Sequence, residues 1–165
     1  FFELTDQDWE DSFQINLMSA VRLTRLCIPS LKQSTCGRII NISSIAAASP
    51  QEVFPHYSAM KAGLSNFTVS LAQTLAPDKI LVNSISPGPV WSKSWEDEAK
   101  AQCNGSSMEQ TKKEIMEQTG KTIPLNRMGM PEDLTGLALF LASEQSAWIT
   151  ATNFNVDGGL TRNPF

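Results

Sequence analysis

The chain has 165 residues, 41% of them hydrophobic and 18% charged, an ordinary composition for a globular domain. Its net charge of -4 argues against nucleic acid or an anionic membrane as the main partner, and no apolar run approaches the roughly 20 residues of a bilayer span. Cys27, Cys36 and Cys103 stand at unrelated spacings that fit neither a disulfide framework nor a metal site, so reduced thiols in the cytoplasm are expected.

The opening Phe1-Phe2-Glu3 lacks Met and a signal-peptide pattern, and reads as the interior of a longer protein. Thr5 and Asp8 form a helix-start signature, with the acid three positions after the cap. Apolar residues at Trp9, Phe13, Leu17, Val21, Ile28 and Leu31 predict one long helix, bent or ended by Pro29. Arg38 to Ile42 predicts a short buried strand, and a small-residue loop runs from Ser43 to about Pro55. A second helix is expected from Tyr57 to Leu75, and a second strand from Lys79 to Ile85, stopped by Pro87-Gly88-Pro89. The polar stretch from Trp91 to Asn126 is expected to be helical in parts, for example over Ser107 to Gln118. Pro131-Glu132-Asp133 starts a further helix, and Asn153 to Val156 is a last strand. Strands separated by helices of this length imply crossovers and a parallel sheet.

Tyr57 and Lys61 stand four apart at a helix start, so both side chains lie on one face. A neighbouring ammonium favours a phenolate, and a phenol so tuned can pass a proton to or from a substrate oxygen. Ser44 follows the first strand and Pro87-Gly88 follows the second, at the sheet edge where open parallel sheets bind ligands. Singly, each has a bland reading: a solvated helix face, a turn serine, a surface asparagine at Asn16. Together they point into one crevice.

These residues carry a resemblance. Phe13-Gln14-Ile15-Asn16-Leu17, Asn41-Ile42-Ser43-Ser44, Tyr57-Ser58-Ala59-Met60-Lys61-Ala62 and Val82-Asn83-Ser84-Ile85-Ser86-Pro87-Gly88 are similar, in order and spacing, to the classical short-chain dehydrogenases/reductases. So are Arg127-Met128-Gly129-Met130-Pro131-Glu132-Asp133, Leu139-Phe140-Leu141-Ala142-Ser143 and Val156-Asp157-Gly158-Gly159. The resemblance implies a Rossmann-like doubly wound α/β fold, with residues 1–165 forming the C-terminal part of one domain and supplying about three strands. It implies an NAD- or NADP-dependent oxidoreductase interconverting a carbonyl and a secondary alcohol. Tyr57 would be the general acid/base, Lys61 its partner and the ligand of the nicotinamide ribose, and Ser44 the group that holds the substrate oxygen. Asn16 would offer a backbone carbonyl at a helix kink to a proton-relay water. Pro87, Gly88, Val90 and Ser92 match the turn that meets the nicotinamide carboxamide, with Ser92 where the family usually has Thr. Ala46, Trp91 and Trp95 would line the substrate space, and residues 91–126 would form its lid.

The family's TGxxxGxG turn is not found in these residues, which leaves the choice between NAD and NADP open and predicts an uncovered apolar edge on the first strand. On that ground residues 1–165 alone are expected neither to bind a dinucleotide tightly nor to fold stably as a monomer. The single histidine, His56, reads as a rim residue, and no metal is expected. The substrate is a small molecule: an acyl-carrier-linked 3-oxoacyl group, a sugar or polyol, or a small ketone, with a compact substrate favoured by the long lid. A homotetramer or dimer joined through the two long helices is implied. The alternative is a catalytically inactive fragment, or a binding or regulatory protein on the same fold.

Overall fold

The computed structural model describes residues 1–103 and 107–162. Residues 104–106 of the expected lid, and 163–165 of the expected domain, lie outside the described residues. Three parallel strands form one sheet in the order β1 (Arg38–Ile42), β2 (Leu81–Pro87), β3 (Asn153–Val156). Ile39 aligns with Val82 and Ile42 with Ile85, while Ser84 aligns with Asn153. The parallel crossovers and the α/β architecture are those the sequence predicts.

The first helical segment differs from expectation in an informative way. The Thr5–Asp8 capping box forms, and α1 runs Asp6–Phe13. Then one wider π-helical turn intervenes at Gln14–Met18, closed by Ser19 N–H donating to Gln14 O, before α2 (Ser19–Leu31). A π-turn inserts an extra residue into the hydrogen-bond ladder, and such turns recur at functional sites. Asn16 sits in its centre. Pro29 falls inside the last turn of α2, and the helix ends two residues later.

Helix α3 (Pro55–Leu75) begins two residues earlier than expected, because Pro55 occupies the first turn, where a missing N–H costs nothing. Its buried face carries Leu64, Thr68, Leu71, Ala72 and Leu75, and the last three pack with Ile80 and Val82 and with Ile28 and Leu31 of α2. Strand β2 starts at Leu81 rather than Lys79, since Lys79 adopts a left-handed conformation (φ 59°) that closes the short turn after α3. β2 is buried along most of its length and alternates apolar Val82 and Ile85 with polar residues. Each polar side chain is matched: Asn83 Nδ2 donates to Ile149 O (2.8 Å), and Ser84 and Ser86 hydroxyls both donate to Asn153 Oδ1 (2.8 Å). The polar half of the strand thereby fastens β3 and the loop before it.

Among the described residues, the stretch from Trp91 to Asn126 holds two helices, α4 (Lys93–Gln102) and α5 (Met108–Gly120), the second capped by Ser107. The sequence reading located only the second. Helix α6 (Glu132–Ala142) packs on β1 and β2. Its start is clamped by Arg127, which donates twice to Asp133 at 2.7 Å while Asp133 also accepts from Met130 N–H. β1 pairs only with β2 among the described residues. Its other edge borders a groove of about 470 Å³ lined by Ile15, Leu23, Ile39 and Ile42, of which Ile15, Leu23 and Ile42 are exposed. Among the described residues no helix is long and apolar enough to cross a membrane.

Candidate active site

Because all three strands are parallel, Ile42 and Pro87 end at the same edge of the sheet. Ser44, Tyr57, Asn16, Pro87 and Gly88, named from widely separated stretches of sequence, all line one cavity of about 660 Å³ at that edge. Ala46 and Trp95 line it too. Carboxyl-edge crevices of this kind are the ligand sites of doubly wound sheets.

The two neighbouring serines have divided tasks. Ser43 is 3% exposed and its hydroxyl donates to Lys61 O (3.1 Å) and bonds Ser65 Oγ (2.7 Å), so it ties β1 to α3. Ser44 is half-buried on the cavity wall, and its Oγ accepts from Ala46 N–H at 3.1 Å, which orients the hydroxyl at the start of a short turn. That hydroxyl keeps its own proton to donate. Tyr57 lies in the first turn of α3, and Lys61 one turn later holds its ammonium 5.5 Å from the centroid of the Tyr57 ring. Lys61 Nζ donates to Ile42 O at 2.9 Å, leaving two of the three ammonium donors for other partners. Burial lowers the Lys61 pKa from the ordinary lysine value. Asn16 donates from Nδ2 to Ser12 O (3.1 Å) and Ser12 Oγ (3.3 Å), so its side chain braces the π-turn rather than reaching into the cavity alone.

Lys61 lines the groove along β1 instead of the cavity that holds Tyr57, and Asn16 borders both. A group bridging the two spaces would meet the free Lys61 donors. The residues present therefore fit the nicotinamide-ribose end of a dinucleotide. Gly88 is needed for space: a Cβ there would stand 2.8 Å from both Cα and Cβ of Asp157, which follows β3. Its N–H donates to Val156 O at 3.0 Å.

Three residues named from the sequence are placed elsewhere. Val90 forms a parallel bridge with Gly129 and lines a smaller cavity with Pro89 and Ile123. Ser92 is exposed and its hydroxyl bonds Ser94 Oγ (2.9 Å). Trp91 does not line the 660 Å³ cavity; its ring lies 5.1 Å below the Lys112 ammonium. Conversely, His56 does line the cavity that holds Tyr57, with its ring edge-on to Trp9 at 6.1 Å. Asp8, Asp11, Ser58 and Glu98 line it as well. The capping box marks Asp8 in sequence, but only the packing of α1 on α3 brings it to this wall.

Residues 1–161 match the family model described as enoyl-(acyl carrier protein) reductase. The chain is 33% identical over 160 residues to acetoacetyl-CoA reductase of Cupriavidus necator, covering 97% of this chain and 60% of that protein. It is 35% identical over 160 residues to a 3-oxoacyl-[acyl-carrier-protein] reductase of Aquifex aeolicus, covering 97% of this chain and 59% of the relative. Among solved structures, L-sorbose reductase of Gluconobacter frateurii, complexed with NADPH and L-sorbose, superimposes with a TM-score of 0.89 at 31% identity over 99% of this chain and 62% of that one. The chain belongs to the short-chain dehydrogenase/reductase family. It spans about 60% of the length of the curated relatives it matches.

Proposed function

We propose that the chain carries the catalytic and substrate-binding part of an NAD(P)-dependent oxidoreductase that interconverts a carbonyl and a secondary alcohol. The observation that carries this reading is the convergence of Ser44 and Tyr57 on one cavity with the Lys61 ammonium beside the tyrosine ring. Ser44 Oγ–H donates to the substrate oxygen, its orientation fixed by the bond from Ala46 N–H. Tyr57 Oη gives its proton to that oxygen in reduction and takes it back in oxidation. Lys61 stands next in the proton path and binds the ribose hydroxyls with the two donors it does not spend on Ile42 O. The π-turn widens the backbone ladder around Asn16, which supports a relay water held at the Asn16 carbonyl. When bound, the nicotinamide supplies or accepts the hydride at the substrate carbon. The sorbose reductase neighbour is complexed with NADPH, which supports a nicotinamide cofactor of either kind.

The segment 91–126 acts as the lid, and Ser94, Trp95 and Glu98 of α4 lie on the cavity wall. A cytoplasmic homo-oligomer fits the exposed Leu23 and Leu26 on α2, 63% and 77% accessible. Tyr57→Phe, in the natural gene product, is expected to lower kcat by roughly 10²–10⁴-fold while leaving NAD(P)H affinity unchanged. Lys61→Ala is expected to damage both turnover and cofactor binding. Steady-state kinetics with cofactor fluorescence titration checks the pair. Undiminished turnover in Tyr57→Phe would defeat the assignment, and dinucleotide binding without any turnover in the wild type would favour a non-catalytic role.

A further inference from the structure

The charges around the cavity speak to what enters it. Three carboxylates line it, Asp8, Asp11 and Glu98, and among the described residues neither Lys nor Arg does. Among the described residues those carboxylates accept hydrogen bonds from Thr5 (Asp8), Gln7 (Asp11) and Gln102 (Glu98), and His56 is the one ionisable nitrogen base on the same wall. The hydrogen bonds from Thr5 hold the Asp8 carboxyl below its usual pKa, so it stays ionised at neutral pH. On the same helix as Glu98, the lysines are spent. Lys100 pairs with Glu96 at 2.9 Å and Asp97 at 3.7 Å, and Lys93 pairs with the same two acids. The nearest cation of the site, Lys61, stands behind Tyr57 on the groove side.

Two further polar groups of the wall have unused capacity. Ser58 is 4% exposed, and its hydroxyl and His56 Nδ1 are enclosed without a hydrogen-bond partner among the described residues. Buried polar atoms left so are costly and call for a partner. Unpaired carboxylates accept hydrogen bonds, a serine hydroxyl gives and accepts them, and an imidazole does one or both. Sugar-like hydroxyls match this set. A phosphate ester suits it less, because three carboxylates repel a dianion and among the described residues no Lys or Arg lines the wall, although the first turn of α3 does.

We infer that the substrate is an uncharged, hydroxyl-bearing carbonyl compound or its polyol, in preference to the phosphate ester of one. The inference rests on the oxidoreductase reading above.

The test is a panel run on the natural gene product with NADH and NADPH: neutral ketoses and polyols, their phosphate esters, and acetoacetyl-CoA. At low ionic strength the neutral member of each matched pair is expected to exceed its phosphate ester in kcat/KM by roughly 10-fold or more. Added salt should raise kcat/KM for the anionic member and leave the neutral one flat, since screening relieves repulsion. The triple change Asp8→Asn, Asp11→Asn, Glu98→Gln should close most of the gap. Because Asp8 also caps α1, Asp11→Asn with Glu98→Gln alone is the control, expected to close part of it. Preference for acetoacetyl-CoA or a phosphate ester at low salt overturns the inference and leaves the oxidoreductase reading standing. A gap that neither salt nor the double variant moves also overturns it. Turnover of no member with either cofactor overturns the oxidoreductase reading itself.

Discussion

The adjacent serines after β1 are chemically identical and physically opposite. Ser43 is enclosed and ties two elements together, whereas Ser44 faces the cavity. Ser43→Ala should cost about 1–3 kcal/mol of stability by stranding its buried partners, with activity per folded molecule preserved. Ser44→Ala should do the reverse, lowering kcat with a melting temperature close to wild type. Thermal melts and initial rates on both variants check the division; equal effects on both quantities would contradict it. Tyr57, Lys61 and Ser44 were legible in the sequence because their spacing within a helix, and across a strand end, encodes proximity directly. The acidic wall was not legible. Asp8 and Asp11 lie some fifty residues before Tyr57, and only α1 packing on α3 makes them neighbours. His56, which the sequence reads as a rim residue, lines the same cavity as Tyr57.

Among the elements, the strands β1 and β3 match their expected bounds to the residue; for β1 the cause is an isoleucine-rich run that starts directly after Gly37. The apolar spacing does not show the π-turn at Gln14–Met18, since an extra residue in a helix leaves no distinct apolar pattern; only the family resemblance implied a kink at Asn16. The highly charged α4 was missed because its residues satisfy one another through ion pairs instead of through a buried stripe. Gly88→Ala should force β2 and the residues after β3 apart, since its Cβ would meet Asp157 atoms at 2.8 Å. Lower activity and a lower melting temperature together are expected, read from kinetics and circular dichroism. The Arg127–Asp133 clamp at the start of α6 gives a pH signature. Arg127 holds the Asp133 carboxyl far below its ordinary value of 3.8, so the folded state binds this proton less readily than the unfolded chain. The contribution is complete above the ordinary carboxyl range and is lost as pH falls below it. Asp133→Asn should therefore destabilise at pH 7 and flatten the acid dependence. Denaturant titrations at pH 7 and pH 3 check this, and an unchanged difference between the two would refute it.

For the whole molecule, the uncovered side of β1 governs behaviour in isolation. Ile15, Leu23, Leu26 and Ile42 are each at least half exposed around that edge and the adjoining helix. An unpaired strand edge with apolar flanks is a template for association. Residues 1–165 prepared alone are expected to self-associate and to bind a hydrophobic dye. Sedimentation velocity checks this, and a compact, dye-free monomer would count against it. The expectation of an uncovered edge came from the family resemblance, whereas which side chains line the groove depends on how α2 lies across β1.

The grip on Lys61 has a consequence for how this site must be studied. Its ammonium is held by the main-chain oxygen of Ile42, which every amino acid carries. A side-chain scan would therefore score position 42 for packing alone and overlook its hold on the lysine. Editing the backbone, by an amide-to-ester replacement at the 42–43 linkage, weakens that carbonyl as an acceptor but also removes the Ser43 N–H bonded to Ile85 O. Its effect on Lys61 therefore has to be compared with that of the same edit in Lys61→Ala.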